Sequence, residues 1–393
     1  MTNIYAVAVA RTAIGSFGGT LKDQRPGDLG AHVGRAAIER AGIPPELVGN
    51  VVFGHVIPTH PRDHFVARIA GVGAGVPLAT PALTVNRLCG SGLQAILSAA
   101  QSIMLDDCTI ALAGGTEVMS RAAHYLPDLR WGKKMGDSTI IDGLNGALTD
   151  PFNEILMGVT AENVAKRYGI SREQQDALAL TSHHRATRAI AEGYFRDQIA
   201  PIEIATRQGK IAFDTDEYVR TGAKPGDFDS LRPVFQRDGG TVTAGNASGI
   251  NDGAAAVVLA NDVSVRELGL TPLGRLVAYG HAGVDPAYMG IGPVPATRNA
   301  LARAGLKIDD LDIIEANEAF AAQACAVAAE LGLDPDKVNP NGSGIALGHP
   351  VGATGAIITA KLLYELRRTN KRYGLTTMCI GGGQGIAAIW ERA

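Results

Sequence analysis

Along this chain the apolar positions fall into short unbroken runs separated by stretches of helical period. Ile4 to Ala8 is such a run, and an amphipathic stretch opens at Asp28, continues through Ala41 and stops at Gly42. Val51 to Phe53 and Thr109 to Ala113 are further short apolar runs, the second closing at Gly114-Gly115. Unbroken apolar runs predict strands buried on both faces. Their alternation with helices over roughly the first 120 residues predicts a mostly parallel sheet with helices on either side.

The last third repeats the theme. Ala37-Ile38-Glu39-Arg40-Ala41-Gly42-Ile43 is answered by Ala300-Leu301-Ala302-Arg303-Ala304-Gly305-Leu306. Each is followed by a turn with acidic residues and an apolar strand, Val51 to Phe53 and Asp312 to Ile314. The glycine-rich stretch from Val338 to Gly355 leads into a helix through Leu366, as Val85 to Gly92 leads into an earlier one, and a strand ending at Cys379 follows. Two halves built on one plan are expected.

Between them the rhythm breaks. Arg121 to Asp137 is rich in Arg, Lys, Pro and Trp and reads as an excursion. One helix is expected to start near Thr160. A second opens with the capping box Ser171-Arg172-Glu173-Gln174 and runs to about Glu192, stopped by Gly193. Asp214 to Phe235 is polar, Pro-containing loop. The expected division is a first half over 1–119, an inserted loop domain over 120–245, a return to the first half over 246–270 and a second half over 271–393.

Composition narrows the picture. With 36 basic against 39 acidic residues, no polyanion-binding surface is indicated, so no nucleic-acid partner is expected. Arg11 ends the first apolar run far short of a signal core or a membrane span. The four cysteines, Cys89, Cys108, Cys325 and Cys379, show no CxxC pair and no framework spacing, which fits a reducing cytoplasm.

One of them stands apart. Ala82 to Val85 ends in a turn that carries Cys89 among small residues, and a helix with Leu93, Ile96, Leu97 and Ala100 on one side starts at once. Ser91 can cap that helix, and a cysteine just ahead of a helix start meets unpaired N–H groups and the positive dipole end. Both favour thiolate over thiol. The alternative is a buried, inert cysteine.

Three further stretches place a reactive or polar side chain in a loop at a strand end, where open α/β sheets build sites. They are Glu315 to Ala321, Asn341 to Gly355 and Met378 to Gly385. His349 is the natural base for a thiol nucleophile, and Cys379 can exchange a proton with a substrate carbon. Glycine N–H groups beside Cys379 can hold an oxyanion, and Asn317 can orient a water or a carbonyl.

The stretches Asn86 to Gln94, Asn317 to Phe320, Asn341 to Gly355 and Cys379 to Gly385 resemble the signature segments of the thiolases. The likeness runs from Arg11 to the C-terminus and is nearest to the bacterial β-ketothiolases. It implies a five-layered αβαβα fold of two similar halves with a loop domain inserted in the first. It implies Cys89 as the acylated nucleophile, His349 as its activator and Cys379 as the group that moves a proton at acetyl-CoA. Asn317 through a water, with His349, would form one oxyanion hole; the N–H groups of Cys89 and Gly381 would form the other. Coenzyme A or acyl-CoA would enter as substrate, with no permanently bound cofactor and no metal. Arg220 would meet its nucleotide and Ser248 its pantetheine, and Leu148, Met157, Phe235, Ala244, Met289, Ala319 and Phe320 would line the channel. A homotetramer, a dimer of dimers paired through the excursion, is implied as well. The expected activity is thiolysis of a 3-ketoacyl-CoA and the reverse Claisen condensation. A decarboxylating ketoacyl synthase gives no reason for a second catalytic cysteine, an acyl carrier none for four filled catalytic positions, and a cysteine hydrolase would release free acid.

Two departures from the family pattern stand out. Leu156 replaces a histidine found in many short-chain thiolases, which makes the wall less polar, and Asp227 places a charge where relatives have a small polar residue. His55, His60, His64, His183 and His184 lack a metal ligand set and are expected on loops or the surface. Gly71 to Gly75 is no dinucleotide fingerprint, and Cys108 and Cys325 are expected in the core.

Overall fold

The computed structural model describes residues 2–207 and 209–393, and in it the apolar runs become strands of one long sheet. In chain order the first half contains β1 (Ile4–Arg11), α1 (Pro26–Ala41), β2 (Asn50–Gly54), β3 (Ala82–Val85), α2 (Ser91–Met104) and β4 (Ile110–Val118). Helices α3 (Met157–Tyr168) and α4 (Arg172–Ala191) follow, and then β5 (Asn251–Asn261). The second half contains β6 (Gly274–Gly283), α5 (Pro293–Ala304), β7 (Ile313–Ala316), α6 (Ala321–Leu331), α7 (Thr354–Thr369), β8 (Tyr373–Ile380) and β9 (Gln384–Arg392).

The strand order is β7-β8-β9-β6-β1-β5-β4-β2-β3. Only the pairs β2–β3, β2–β4 and β7–β8 are parallel, so the expectation of a mostly parallel sheet is corrected to a mixed one. The physical reason is that an unbroken apolar run reports burial on both faces and not strand direction. Strands β8 and β9 are joined by the three-residue turn Gly381 to Gly383 and must run antiparallel.

The expected repeat is present in the topology. The first half runs β3-β2-β4-β5-β1; the second runs from a parallel bridge at Val338 through β7-β8-β9-β6, with matching directions. Helices α1 and α5 both end on a glycine at φ 66°, Gly42 and Gly305, a left-handed conformation that costs glycine little. The halves join where Tyr5 and Ala6 of β1 pair with Arg275 and Gly274 of β6. Helix α1 begins at Pro26, two residues before the position expected from the pattern, because proline suits a helix's first turn.

Helix α1 covers one face of the first half's strands and α2 the other; α5 and α7 do the same in the second half. Helices α2 and α7 face each other in the middle, which gives the layers helix, sheet, helix, sheet, helix. Their N-termini meet backbone to backbone. A Cβ added at Gly92 would lie 2.8 Å from the Ala356 nitrogen, and one at Gly355 would lie 2.7 Å from Leu93 Cβ.

Among the described residues, the segment between β4 and β5 adds no strand to this sheet and forms three separate two-stranded ladders. Helix α4 has the predicted capping box: Ser171 Oγ accepts from Gln174 N, and Gln174 Oε1 accepts from Ser171 N. Arg11 of β1 donates to both carboxylate oxygens of Asp216 at 2.7 and 2.9 Å, all fully buried, and so pins the polar loop to the sheet. The excursion from Arg121 to Asp137 carries Trp131 at 91 % exposure. Among the described residues no helix is long and apolar enough to cross a membrane.

The contact between the two helix starts allows a direct check. Gly355→Ala should lower stability by about 2–3 kcal/mol in urea denaturation, as expected for overpacking against a backbone that cannot yield. Gly222→Ala, where nothing lies within 4 Å of the added methyl, should leave the midpoint unchanged.

Candidate active site

The turn that carries Cys89 is built from its own polar groups. Asn86 Oδ1 accepts from Leu88 N at 2.9 Å, and Ser91 Oγ accepts from Arg87 N at 2.8 Å while donating to Leu88 O at 2.7 Å. Ser91 therefore does not cap α2, contrary to expectation: it is the first helical residue, and its hydroxyl staples the preceding turn. That staple holds Leu88 at φ 44°, a strained angle for leucine, and leaves Cys89 half-buried just ahead of the helix.

Burial pushes the Cys89 thiol up, which corrects the expected thiolate. The N–H groups of Gly381 and of Cys89 itself face the sulfur and pull it down, and the charge of Glu117 opposes them. Desolvation of a charged sulfur outweighs the helix start here. Cys379, at the end of β8 and fully buried, is pushed up by desolvation and then by the neighbouring Cys89.

His349 is buried, and burial lowers it to about 4. Its Nδ1 lies 2.7 Å from Thr354 Oγ1, whose hydroxyl donates to Pro350 O at 2.9 Å. With the threonine proton so engaged, Nδ1 must carry the ring proton, and Nε2 keeps its lone pair. Asn251 Oδ1 accepts from His349 N at 2.9 Å and fixes the backbone beneath. Asn317, directly after β7, places Nδ2 3.4 Å from His349 Nε2. Strand β7 is tied to the helix that follows His349 by a buried pair, Glu315 with Lys361 of α7, at 2.6 Å.

Cys89, His349 and Cys379 line a single cavity of about 300 Å³. Of the predicted channel residues, Leu148, Met157, Phe235, Ala244 and Ser248 lie on its wall, and so do Met289, Ala319 and Phe320. Phe235 and Phe320 meet edge to face at 6.3 Å, and Leu156 is on the wall at 38 % exposure. Gly381 stands behind the wall, where an added Cβ would lie 3.2 Å from Met157 Sδ. Arg220 is off the wall: its guanidinium donates to Ala244 O at 3.4 Å and sits over the Phe228 ring. Asp227 is exposed and accepts from Lys224 N in its own turn.

Some side chains escaped the sequence. Thr354 and Asn251 hold His349, and Met119, Asn145, Ile250 and Val351 join the wall. The available signals were a hydroxyl five residues after the histidine and a polar pair, Asn251-Asp252, opening an otherwise apolar strand. Two expected surface histidines are buried instead. His183 stacks on Phe228, burial lowering it to about 4, and His55 pairs with Glu117. His60, His64 and His184 are exposed, as expected. Among the described residues no cluster of His, Cys, Asp or Glu could hold a metal. Cys108 lies in the main core, and Cys325 is half-buried on α6.

The tautomer argument is testable by nitrogen NMR of the histidine rings. His349 should remain neutral with its proton on Nδ1 at every pH above about 5, because its folded value lies near 4. Thr354→Val should redistribute that proton between the two nitrogens, whereas Thr354→Ser should leave it in place.

Comparison with known proteins agrees with this fold. The descriptions "Thiolase, N-terminal domain" and "Thiolase, C-terminal domain" match residues 4–263 and 270–392. Beta-ketothiolase BktB of Cupriavidus necator is 63% identical over 389 residues, 99% of each chain. An acetyl-CoA acetyltransferase of the same organism is 50% identical over 394 residues, all of both chains. The crystal structure of human mitochondrial 3-ketoacyl-CoA thiolase in complex with CoA superposes with a TM-score of 0.97 at 44% identity, covering 100% of this chain and 98% of that one. With family descriptions matching both halves of the chain and full-length relatives at 50% and 63% identity, this protein belongs to the thiolase family.

Proposed function

We propose that this acyltransferase runs its reversible thiolysis and condensation through an acyl group carried on Cys89. The observation that carries the reading is the convergence of Cys89, His349 and Cys379 on one cavity. In cleavage the Cys89 sulfur attacks the 3-keto carbon of a 3-ketoacyl-CoA, and the thiol proton passes to His349 Nε2. The C2–C3 bond then breaks, its electron pair leaves with acetyl-CoA as an enolate, and Cys379 supplies the proton to C2. A second CoA thiol takes the acyl group from Cys89. Condensation is the reverse, with Cys379 removing the proton from acetyl-CoA.

The electrostatics support these roles. Both thiols are raised and the imidazole is lowered, so the resting site holds neutral groups and proton transfer accompanies attack. The Gly381 and Cys89 N–H groups beside the sulfur suit the oxyanion on the carbonyl that Cys89 attacks. Such a donor is worth about 3 kcal/mol. Asn317, through a water, and His349 suit the thioester oxygen of the enolate. Ser248 and the apolar wall suit the pantetheine arm, and Arg220 takes the nucleotide end. Asp227 lies in the same loop, where its charge opposes nucleotide phosphates.

Four free cysteines fit a cytoplasmic enzyme. The exposed side chains of Leu129, Trp131 and Met135 in the excursion fit pairing of dimers into a tetramer. The return of the chain to the sheet at β5 supports a division at 1–119, 120–245, 246–270 and 271–393.

Cys89→Ser should abolish covalent labelling by radiolabelled acetyl-CoA, and retained label would remove Cys89 from its role. Cys379→Ser should still acylate but lose carbon–carbon bond exchange; full exchange would count against it. The apolar wall at Leu156 favours longer or branched 3-ketoacyl groups. Leu156→His should shift the ratio of kcat/KM towards acetoacetyl-CoA over 3-ketohexanoyl-CoA, and an unchanged ratio would remove that idea.

A further inference from the structure

Helix α3 opens on the wall of the cavity, and two of its residues have no part in the steps above. Gly158, in its first turn, lies on the wall beside Phe235. A Cβ at Gly158 would lie 2.2 Å from Phe235 Cδ2 and Cε2 and 2.3 Å from Cζ, so the ring rests on bare helix backbone. Ordinary contact between carbons is about 3.5–4.0 Å, and any side chain at 158 would fill that seat. The same ring meets Phe320 edge to face.

Glu162 stands one turn further along, on the same face of α3. Its carboxylate is buried and takes the Thr241 N–H at 2.9 Å to each oxygen, Thr241 Oγ1 at 3.0 Å and Val242 N at 2.9 Å. Val242 O in turn accepts from Val234 N at 3.0 Å, so hydrogen bonds lead from Glu162 to the residue before Phe235. Gln175 Nε2 and Asn246 Nδ2 also hold Thr241, at its hydroxyl and its carbonyl, but it is Glu162 that reaches Val242. A Cβ at Gly240 would lie 2.9 Å from Glu162 Oε1 and 2.1 Å from Gln236 O, so glycine is what lets the loop close over the carboxylate.

We infer that Gly158 and Glu162 are positioning residues for the thiolase reaction: Glu162 fixes the backbone that carries Phe235, and Gly158 leaves the seat that holds its ring on the wall. The inference rests on the reading of this cavity as the acyl-CoA channel. With its backbone tied to Glu162, the loop cannot retreat as a body when a methyl group fills the seat, and the ring must leave its place. Cys89, His349 and Cys379 lie on other elements, so the loss falls on binding and not on bond making.

The test is steady-state thiolysis of acetoacetyl-CoA by the full-length enzyme, with KM and kcat read separately, in a cycle of Gly158→Ala, Phe235→Ala and the double variant. Gly158→Ala should raise KM about tenfold and change kcat less than about twofold, the signature of lost binding that ground and transition states share. With Phe235→Ala already in place, Gly158→Ala should add nothing to KM, because no ring remains to displace. An equal rise with and without the ring would make the glycine a matter of helix packing alone and overturns the proposal. Glu162→Gln turns an amide donor towards the same N–H groups, and it should raise KM in the same way, again only while Phe235 is present. A lower melting temperature with KM unmoved overturns its role. Should Gly158→Ala fail to fold, the Glu162→Gln cycle decides by the same criterion. Alkylation of Cys89 by iodoacetamide, a probe too small to need the channel, should keep its native rate in each variant. A rate that falls in step with kcat/KM puts the damage at the sulfur and overturns the proposal. Phe235→Ala with the native KM would take that ring out of the acyl-CoA channel, and so refutes the channel reading beneath the proposal and not the seat alone.

Discussion

The structure depends on one close contact, the meeting of the N-termini of α2 and α7 at the centre of the molecule. Each helix follows a loop that carries a reactive residue, Cys89 before α2 and His349 before α7. The two loops reach one cavity because Gly92 and Gly355 let backbone pass backbone where a methyl group would collide. Glycines at 115 and 352 extend the contact into the neighbouring strand end and loop. A site built this way is rigid, since close-packed backbone has no room to drift. Its precision comes from elements and not from mobile loops.

Around that contact, buried polar side chains hold each reactive group in place. Asn251 fixes the backbone of His349, Thr354 fixes its ring, and Lys361 with Glu315 ties the strand preceding Asn317 to the helix following His349. Each polar atom used in this way is removed from water, so its hydrogen bond must be made or its desolvation goes uncompensated. That cost is what makes the arrangement specific. The inserted segment adds the outer wall through Leu148, Met157, Phe235 and Ala244, and Arg11 anchors it by its buried bond to Asp216.

Burial also sets the acid–base character of the site. A helix start beside a cysteine favours the thiolate, yet enclosure in an apolar cavity wins and keeps the sulfur protonated. The same enclosure keeps the imidazole neutral, its lone pair on the nitrogen that faces Asn317. A neutral thiol and a neutral base in low dielectric store little charge at rest. The oxyanion donors therefore act chiefly as charge develops, which is where donors accelerate a reaction.

The sequence by itself determined the order of elements, the duplicated plan, the helix caps at Gly42, Gly305 and Ser171, and the stretches that hold Cys89, Asn317, His349 and Cys379. These are local matters of period, capping and glycine content, written over a few neighbouring residues. Strand direction was not legible, because burial on two faces gives the same apolar run either way. The state of the Cys89 thiol was not legible either, since desolvation depends on what other segments bring to within a few ångströms. For the same reason Ser91 looked like a cap, and His55 and His183 looked like surface residues. Their partners, Glu117 for His55 and Phe228 for His183, lie far along the chain, and only the tertiary structure decided where those side chains would meet.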